Sequence, residues 1–536
     1  MKKEPSKILF TLGGALIFNF IFWQEKPGIN IILFDVFICS AIAVLSPYSL
    51  KNSNSRWLLA MHIATAAMVL IQNTLLSEVG FVVTLLLFAS FSQYHHRSIW
   101  YATGSSMLNY LLAVPNFFRE LMQENNSHES KPTRLRSFRV FLIPIAIVGF
   151  FIIIYSSANN VFSGILLGIV TSITNWLAHF FDWFPLERFV FFFLGIIVVS
   201  GLLLRNKRTY FSDRDMKRKN NLSRTKTSYK KWKESVWVDL LSIVAGKASA
   251  GLLALKHEFK SGLLSLVLLN VLLCIINCID IKYVWLSSRF SKSAGMAAYV
   301  HEGAWLLIFS IILAMLVLLF FFRGNLNFYK KNKWLRYGAY IWILQNSFLV
   351  LSVFSRDYFY IAHYGLAYKR IGLLFFLTMV LGGLITVYLK IYYTKTIYFL
   401  LKINAWIGLV LLVSASTVNW DIMMVRYNLS RQSTIPLDVP FLLSLSDQTL
   451  PLIQKNKEVL EKTPTASYKY YYNGAAYNAP EFFELRKKTF LIQQKNYSWL
   501  SWNIADASTK KELTGNINYS FGYYRLAPYQ FLWSLH

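Results

Sequence analysis

Long apolar runs, separated by short polar or basic segments, fill most of the chain up to residue 420. A helix that crosses a membrane needs about 20 predominantly apolar residues, because the hydrocarbon core is about 30 Å thick. Eleven runs approach this length and predict an all-α integral membrane helical bundle of about 11 transmembrane helices. They cover approximately residues 8–23, 29–45, 57–72, 79–91, 138–155, 188–204, 262–285, 300–322, 334–354, 371–389 and 402–420.

A twelfth apolar stretch, residues 162–181, contains Thr171, Thr174, Asn175 and His179. These polar residues favour a re-entrant or interfacial helix over a full span. A full span would also place the two richest basic segments on opposite sides of the membrane, against the retention of basic loops in the cytoplasm. We therefore do not count this stretch among the predicted spans.

Basic residues determine the predicted orientation. With the N-terminus inside, the inner segments carry 34 Lys and Arg residues, the outer loops carry 8 and the tail carries 13. Positive charge is retained on the cytoplasmic side, so the counts predict an N-inside, C-outside, multi-pass protein of the inner membrane. The richest inner segment, residues 205–260, is expected to face anionic membrane lipids.

The spans and loops group into four predicted regions: 1–137, 138–261, 262–420 and 421–536. The first region holds spans one to four, the second holds spans five and six, and the third holds spans seven to eleven. The fourth is a tail without a further span, predicted to form a small, mainly helical extracytoplasmic domain. Its apolar spacing predicts helices at residues 447–462 and 480–495.

Composition supports the membrane assignment and narrows the chemistry. The chain is 55% hydrophobic and only 15% charged, with mean hydropathy +0.40, which excludes soluble globular and disordered classes. The net charge of +29 would suggest nucleic acid in a soluble protein, but cytoplasmic retention accounts for most of it. The three cysteines lie in apolar runs without metal-ligand spacing, and hydrolase, metalloprotease, nucleotide-binding and kinase motifs are missing. We predict no cofactor, no metal and no nucleic-acid partner, and we favour a protein that is not an enzyme.

Polar residues gather at the predicted outer mouth, between the eighth span and the start of the tenth. The candidate binding residues are Glu302, Asn346, Arg356, Tyr360, Tyr364, Lys369 and Arg370. Three of them are cations in an outer loop, against the usual bias, and a guanidinium fork grips carboxylate or phosphate. The functional interpretation is an anion or lipid-headgroup site. The alternative is a loop that is pinned by Arg356–Glu302 or a similar pair, beside an aromatic belt.

Two charged residues approach the outer end of the seventh span. Asp280 and Lys282 lie two positions apart, so they cannot face one another on a helix. Each is expected to snorkel to the interface or to pair with another helix.

Four segments carry a resemblance to a known family: NSFLVLSVFSRDYFYIAHYGLAYKRIG (Asn346–Gly372), LKINAWIG (Leu401–Gly408), VNWD (Val418–Asp421) and YNLSR (Tyr427–Arg431). The chain resembles the bacterial polytopic membrane family catalogued as domain of unknown function 4173, with its sibling 4153. The matching positions are Asn346, Arg356, Tyr360, Ile361, Tyr364, Gly365, Leu366 and Arg370. Ala367 departs from the threonine that is usual in the family. The resemblance extends over roughly residues 260–440 and implies a bacterial membrane protein without an established activity.

Three functions remain open at this point. The first is a non-enzymatic sensory, regulatory or scaffolding protein whose tail and outer mouth recognise an envelope component. The second is a transporter of a small solute or lipid, although the sequence shows no internal repeat and few buried charges. The third is a lipid-linked glycosyltransferase-like membrane enzyme, against which the short first outer loop, residues 24–28, counts.

Overall fold

The computed structural model describes residues 7–47, 52–125, 158–180, 186–207, 209–224, 254–285, 296–322, 325–329, 331–461, 469–472 and 474–515, with isolated residues between 144 and 156. Across these ranges the regular structure is helical apart from one short hairpin and one isolated β-bridge between Asn221 and Lys395. Seven of its helices are long and apolar enough to cross a membrane, and four further apolar helices are shorter. The fold is all-α, and its long apolar helices indicate a membrane-embedded protein.

We number the helices along the described chain. The earlier ones are α1 (Lys7–Phe22), α2 (Ile29–Leu45), α3 (Ser53–Gln72), α4 (Leu75–Gln93), α5 (Ile99–Leu111), α6 (Ala113–Asn125), α7 (Asn160–Phe180), α8 (Leu186–Leu203) and α9 (Tyr210–Lys217). The later ones are α10 (Ala254–Asp280), α11 (Met296–Phe321), α12 (Asn332–Tyr364), α13 (Tyr368–Tyr392), α14 (Ile397–Ser416), α15 (Trp420–Ser430), α16 (Val439–Ser444), α17 (Leu450–Lys455), α18 (Glu458–Glu461), α19 (Ala479–Asn496) and α20 (Ile504–Thr514). The strands β1 (Tyr470–Tyr472) and β2 (Ala475–Tyr477) pair antiparallel.

The first of two compact units comprises Met1–Lys26, Leu33–Ser49 and Ser106–Arg208. Its helices α1 and α8 approach closely at glycines. A Cβ atom at Gly14 would lie 2.8 Å from the side chain of Val199, and one at Gly195 would lie 3.2 Å from the carbonyl oxygen of Ala15. Small residues at such contacts let two helix backbones pack closely in a membrane.

The second unit comprises Pro27–Ile32, Leu50–Ser105 and Thr209–His536. Its largest apolar core lies among α10, α11, α12 and α13, where Leu266, Leu318, Leu349 and Leu384 are buried together. Burial of apolar side chains at helical spacing on each of these helices explains why the four pack as one group. This group positions the polar residues described below.

The C-terminal segment, which we define as residues 420–515, belongs to the second unit. Its helices bury Met424, Leu442 and Phe483 in one core with Ile361 of α12 and Leu366 of the α12–α13 link. The segment also meets two helix ends by hydrogen bonds. Gln448 Nε2 donates to the Gln72 carbonyl at 2.8 Å, and the Ile29 amide donates to the Trp502 carbonyl at 3.0 Å. The segment therefore contacts the start of α2, the α3–α4 turn and the α12–α13 link.

Ten of the eleven predicted spans coincide with helices, and the one at residues 138–155 lies largely outside the described residues. The stretch 162–181 forms α7, one continuous helix whose apolar part, Val161–Ser172, is short. The predicted loop after residue 354 is wrong, because α12 continues to Tyr364. Nothing breaks this helix before Gly365, whose φ of +79° ends it.

Of the two helices predicted in the tail, one is confirmed and one is not. The predicted helix at 480–495 is confirmed as α19, which begins with an Asn478 capping box and a proline in its first turn. The predicted single helix at 447–462 is wrong: a 3₁₀ turn, α17 and α18 replace it. Pro451 lies in the first turn of α17, and Asn456 caps its C-terminal end. The apolar spacing therefore continues through residues 447–462, but the helical backbone is interrupted. The β1–β2 hairpin was not predicted.

Candidate functional site

The seven predicted binding residues fall on three helices. Glu302 belongs to α11, and its side chain lies outside the described part of the chain. Four residues belong to α12 and two to the first turn of α13: Asn346, Arg356, Tyr360, Tyr364, Lys369 and Arg370. Asn346 lies ten residues before Arg356, or about 15 Å along the helix. Its amide donates to the Trp342 carbonyl of its own helix at 2.8 Å, so it is not part of the group around Arg356.

Arg356 forms a buried ion pair with Asp280 of α10. Its Nη2 lies 2.5 Å from Asp280 Oδ1, and Ser352 Oγ donates to Asp280 Oδ2 at 2.6 Å. Arg356 and Asp280 are 3% and 4% exposed, so water screens the pair little. The expectation that Asp280 pairs with another helix is confirmed, and its partner is Arg356 of α12. The suggested pairing of Arg356 with Glu302 lies outside the described residues.

A row of amide hydrogen bonds continues this contact along α10 and α12. Asn270 Nδ2 donates to the Gly338 carbonyl at 3.0 Å, Gln345 Nε2 donates to Asn270 Oδ1 at 3.1 Å, and Asn277 Nδ2 donates to the Gln345 carbonyl at 3.2 Å. The partners advance by seven residues on both helices, so α10 and α12 run parallel with a heptad register. We call this row, which ends at the Asp280–Arg356 pair, the polar ladder.

Arg370 closes the end of α12. Its guanidinium donates to the carbonyls of Tyr364, at 2.8 Å, and of Gly365, and it lies over the Tyr360 ring at 4.4 Å. A cation at a helix C-terminus interacts favourably with the helix dipole and satisfies carbonyls that lack intrahelical donors. The fork of Arg370 therefore binds protein carbonyls, as the fork of Arg356 binds Asp280. Lys369 is exposed beside it.

The link between α12 and α13 is held by α15. Asn428 Oδ1 accepts from the Leu366 amide at 2.7 Å, and Asn428 Nδ2 donates to the Leu366 carbonyl at 3.0 Å. A Cβ atom at Gly365 would lie 2.5 Å from Asn428 Oδ1, so only glycine fits there. Tyr368 donates to Asp421 next to this clamp. The junction, meaning residues 356–370 with Asn428, thus joins the C-terminal segment to α12.

A second polar cluster surrounds Asp215 of α9, and the sequence did not single it out. The fully buried carboxylate accepts from the amides of Arg97 at 2.6 Å and Ser98 at 3.0 Å. The hydroxyl of Tyr398 donates to it at 2.5 Å, and His96 Nδ1 lies 3.4 Å away. Asp215 thereby caps the start of α5 from a distant helix and ties it to the start of α14.

The Asp215 carboxylate acts in this cluster as a hydrogen-bond acceptor that is held in place by its donors. Burial raises the pKa of the Asp215 carboxyl, but the hydrogen bonds from His96, Tyr398 and two backbone amides outweigh it and hold the pKa below its ordinary value. The carboxylate stays charged at neutral pH as a consequence.

The adjacent histidines His95 and His96 have different environments. His95 is exposed, whereas His96 is buried and its Nε2 lies 2.9 Å from Ser105 Oγ. The order Asp215, His96, Ser105 is that of a hydrolase triad. All three side chains are buried, so the arrangement fixes the α4–α5 turn and does not present a nucleophile.

The fold and these two clusters define an all-α membrane protein with polar residues that join helices. Residues 13–456 match the model of a family described as Domain of unknown function (DUF4153), and the chain belongs to that family. The resemblance named family 4173 together with its sibling 4153, and the family that matches is the sibling. The match also includes the N-terminal helices, beyond the predicted range of 260–440. No curated protein and no solved structure matched the chain.

Proposed function

We propose that the chain is an eleven-span protein of the bacterial inner membrane, with its N-terminus inside and its C-terminal segment outside. Two groups of helix ends in the second unit support this topology. The C-terminal segment contacts the start of α2, the α3–α4 turn and the α12–α13 link, which the basic-residue count assigns to the outside. The α4–α5 turn, α9 and the α13–α14 turn contact one another, and the count assigns these to the inside.

Labelling of single cysteines in intact cells tests this topology. In a chain whose three native cysteines are replaced by serine, Ser433→Cys should react with a membrane-impermeant maleimide, and Ser223→Cys should react only after permeabilisation. Both positions are exposed, so a missing reaction reports the side of the membrane. Reversed labelling would contradict the orientation.

Within this topology we assign a sensory or regulatory role without an enzymatic step. The observation that carries it is the clamp of Asn428 on Leu366, inside a core shared by the C-terminal segment and the α12–α13 link. A ligand from the cell envelope that binds the C-terminal segment would act on this link. The link continues into α12, whose Arg356 holds Asp280 of α10, and α10 follows the basic inner segment. The two guanidinium groups serve in this proposal as couplers between helices, because protein groups already occupy them.

Hydrogen–deuterium exchange of the purified full-length protein tests the coupling. Asn428→Ala should raise exchange in residues 354–366 and also in residues 270–285 of α10, because the clamp and the polar ladder form one connected path. Asn496→Ala, at an exposed helix end of the same segment, is the matched control and should change neither region. An increase confined to the C-terminal segment would contradict a regulatory coupling.

Transport is the second candidate, and the polar ladder is the observation that favours it. Amide and charged groups in a membrane-embedded helix pair are costly and commonly mark solute or proton paths. Proteoliposomes with an internal pH dye test this alternative. Proton entry that Asp280→Asn abolishes would support transport, and tight vesicles with either protein would exclude a proton path.

A further inference from the structure

A short turn in the C-terminal segment exposes three large apolar side chains. It comprises residues 499–504, which we call the tryptophan turn, and it begins with a 3₁₀ turn at Trp499–Ser501. Trp499 is 66% exposed, Trp502 is 46% exposed and Ile504 is 40% exposed. Residues three apart lie on the same side of a 3₁₀ turn, so the two tryptophans share one side.

The other side chains of the tryptophan turn pack into the fold. Leu500, Ser501 and Asn503 are buried. Asn503 Oδ1 accepts from the Asp506 amide at 2.8 Å, and Asn503 Nδ2 donates to Asp506 Oδ2 at 3.1 Å. Gln494 Nε2 donates to the same carboxylate oxygen at 3.0 Å. The amide side chain of the turn is thus used inside the segment, and the three exposed side chains are all apolar.

The tryptophan turn is held directly against the start of α2. The amide of Ile29, the first residue of α2, donates to the Trp502 carbonyl at 3.0 Å. A Cβ atom at Gly28 would lie 2.6 Å from the carbonyl carbon of Ser501, so the two backbones are in contact and only glycine fits there. The turn therefore lies at the level where this apolar helix begins.

The end of α3 fixes this level a second time. Helix α20, which follows the turn, packs against α3, and Gln448 Nε2 donates to the carbonyl of Gln72, the last residue of α3, at 2.8 Å. Helix α3 is long and apolar enough to cross a membrane, and Ile71 and Leu75 beside its end are exposed. The ends of such a helix lie at the membrane boundary. Tryptophan is enriched at that boundary, because its ring is apolar while its N–H group reaches water.

We propose that the tryptophan turn inserts Trp499, Trp502 and Ile504 into the membrane–water interface, so that its partner is the lipid surface. Three observations carry this inference: the exposed side is apolar, residues 499–504 carry no charge, and two apolar helices hold the turn at their ends. The C-terminal segment then rests on the bilayer at this turn. The inference rests on the spans proposed above for α2 and α3, but not on which side of the membrane faces the cytoplasm.

Nitroxide spin labels on single cysteines test this contact in the full-length protein. The three native cysteines are replaced by serine, and the chain is reconstituted into vesicles of phosphatidylethanolamine and phosphatidylglycerol. Oxygen concentrates in the apolar bilayer, whereas nickel ethylenediaminediacetate stays in the water on both faces. Labels at Trp499→Cys and Ile504→Cys should therefore be relaxed more strongly by oxygen than by the nickel complex.

The matched controls are Ser433→Cys and Lys510→Cys, two exposed positions of the same segment outside the tryptophan turn. Their labels should be relaxed more strongly by the nickel complex. Turn positions that behave like these controls would place the turn in water, and turn positions that neither reagent reaches would place it against protein; either result overturns the inference. Because Trp499 and Ile504 are tested separately, one poorly folded variant leaves the other to decide. The two reagents reach both faces, so this test can fail while the cysteine labelling of intact cells succeeds, and the reverse.

Discussion

Asp280 and Asp215 are both buried carboxylates, but their donors differ. Asp280 is matched by a guanidinium at 2.5 Å and by the Ser352 hydroxyl. Asp215 is matched by backbone amides and the hydroxyl of Tyr398. In the first case the negative charge cancels a positive one. In the second case two backbone amides, a hydroxyl and the ring of His96 surround the carboxylate, and no guanidinium of the described residues binds it.

This difference separates two uses of an arginine next to a buried carboxylate. Arg356 lies in the junction, is 3% exposed, and its loss would leave an uncompensated buried charge. Arg97 lies in the α4–α5 turn, is half-buried, and contributes its backbone amide to the fold while its guanidinium makes one long bond. The first arginine acts through its buried guanidinium, and the second acts through its backbone amide.

The largest expected effect is the loss of Arg356. Arg356→Gln should lower the free energy of unfolding by about 3–5 kcal/mol, because the buried Asp280 carboxylate loses its partner. Arg97→Gln, the matched control, should cost less than about 0.5 kcal/mol, because its backbone contact with Asp215 remains. Equilibrium unfolding in mixed sodium dodecyl sulfate micelles measures both. Similar losses for the two variants would break the comparison.

A double variant at Asp280 and Arg356 shows whether charge causes the loss of stability in Arg356→Gln. Asp280→Asn/Arg356→Gln replaces the ion pair by two amides and should be more stable than Arg356→Gln alone, since no charge stays buried. A double variant as unstable as the single one would indicate that Arg356 acts through packing and not through its charge.

Removal of the other carboxylate is expected to have the next largest effect. Asp215→Asn should cost about 3 kcal/mol at pH 7, because a carboxylate that accepts several hydrogen bonds is replaced by a weaker acceptor with donors of its own. The folded protein holds the pKa of Asp215 below its ordinary value, so this stabilisation is complete above about pH 4, the unfolded value. It is lost as the pH falls through the lowered folded pKa. The free energies of unfolding of the native protein and of the variant, measured from about pH 8 down to about pH 3, should therefore approach each other in acid.

Gly365 tests the rigidity of the junction, with an effect of about 2 kcal/mol. Gly365→Ala places a side chain at φ +79° and ψ −177°, a conformation that is essentially restricted to glycine, and against Asn428. Gly372→Ala is the control one helical turn into α13, where a Cβ atom would meet nothing within 4 Å. The thermal unfolding midpoint should fall in Gly365→Ala and not in Gly372→Ala. Equal midpoints would show that the link relaxes without cost.

The fold was largely predictable because apolar runs of spanning length have few alternatives to a helix in a membrane. Loop bounds were less predictable. The apolar run in α12 becomes polar after residue 354, which suggested a loop, but buried Arg356 and Asp357 continue the helix on its packed side. Pattern alone cannot show that a charged residue is buried when its partner lies on another helix.

The candidate site was predictable in part for the same reason. The sequence indicated Arg356 and Arg370 as candidates because they are cations in a predicted outer loop. Their partners, Asp280 and backbone carbonyls, depend on tertiary contacts that the sequence pattern does not show. A readable signal was missed: Asn270 and Asn277 repeat at seven residues and indicate a helix-pairing seam. Asp215 carried no such signal, because it is one of two aspartates in a short helix within a basic, polar segment.

The smallest expected effect concerns the hydroxyl that connects α14 to Asp215. Tyr398→Phe removes one of the donors to the carboxylate and should cost about 1 kcal/mol, the usual net contribution of a hydrogen bond, with two backbone amides still in place. Tyr101→Phe is the matched control, because its ring lies beside Tyr398 and no hydrogen bond of its hydroxyl occurs within the described chain. Equilibrium unfolding of both variants gives the difference. A loss near that of Asp215→Asn would mean that the Tyr398 hydroxyl, and not the backbone amides, stabilises the Asp215 carboxylate. Each of the two buried carboxylates would then depend on one side-chain donor, Arg356 for Asp280 and Tyr398 for Asp215.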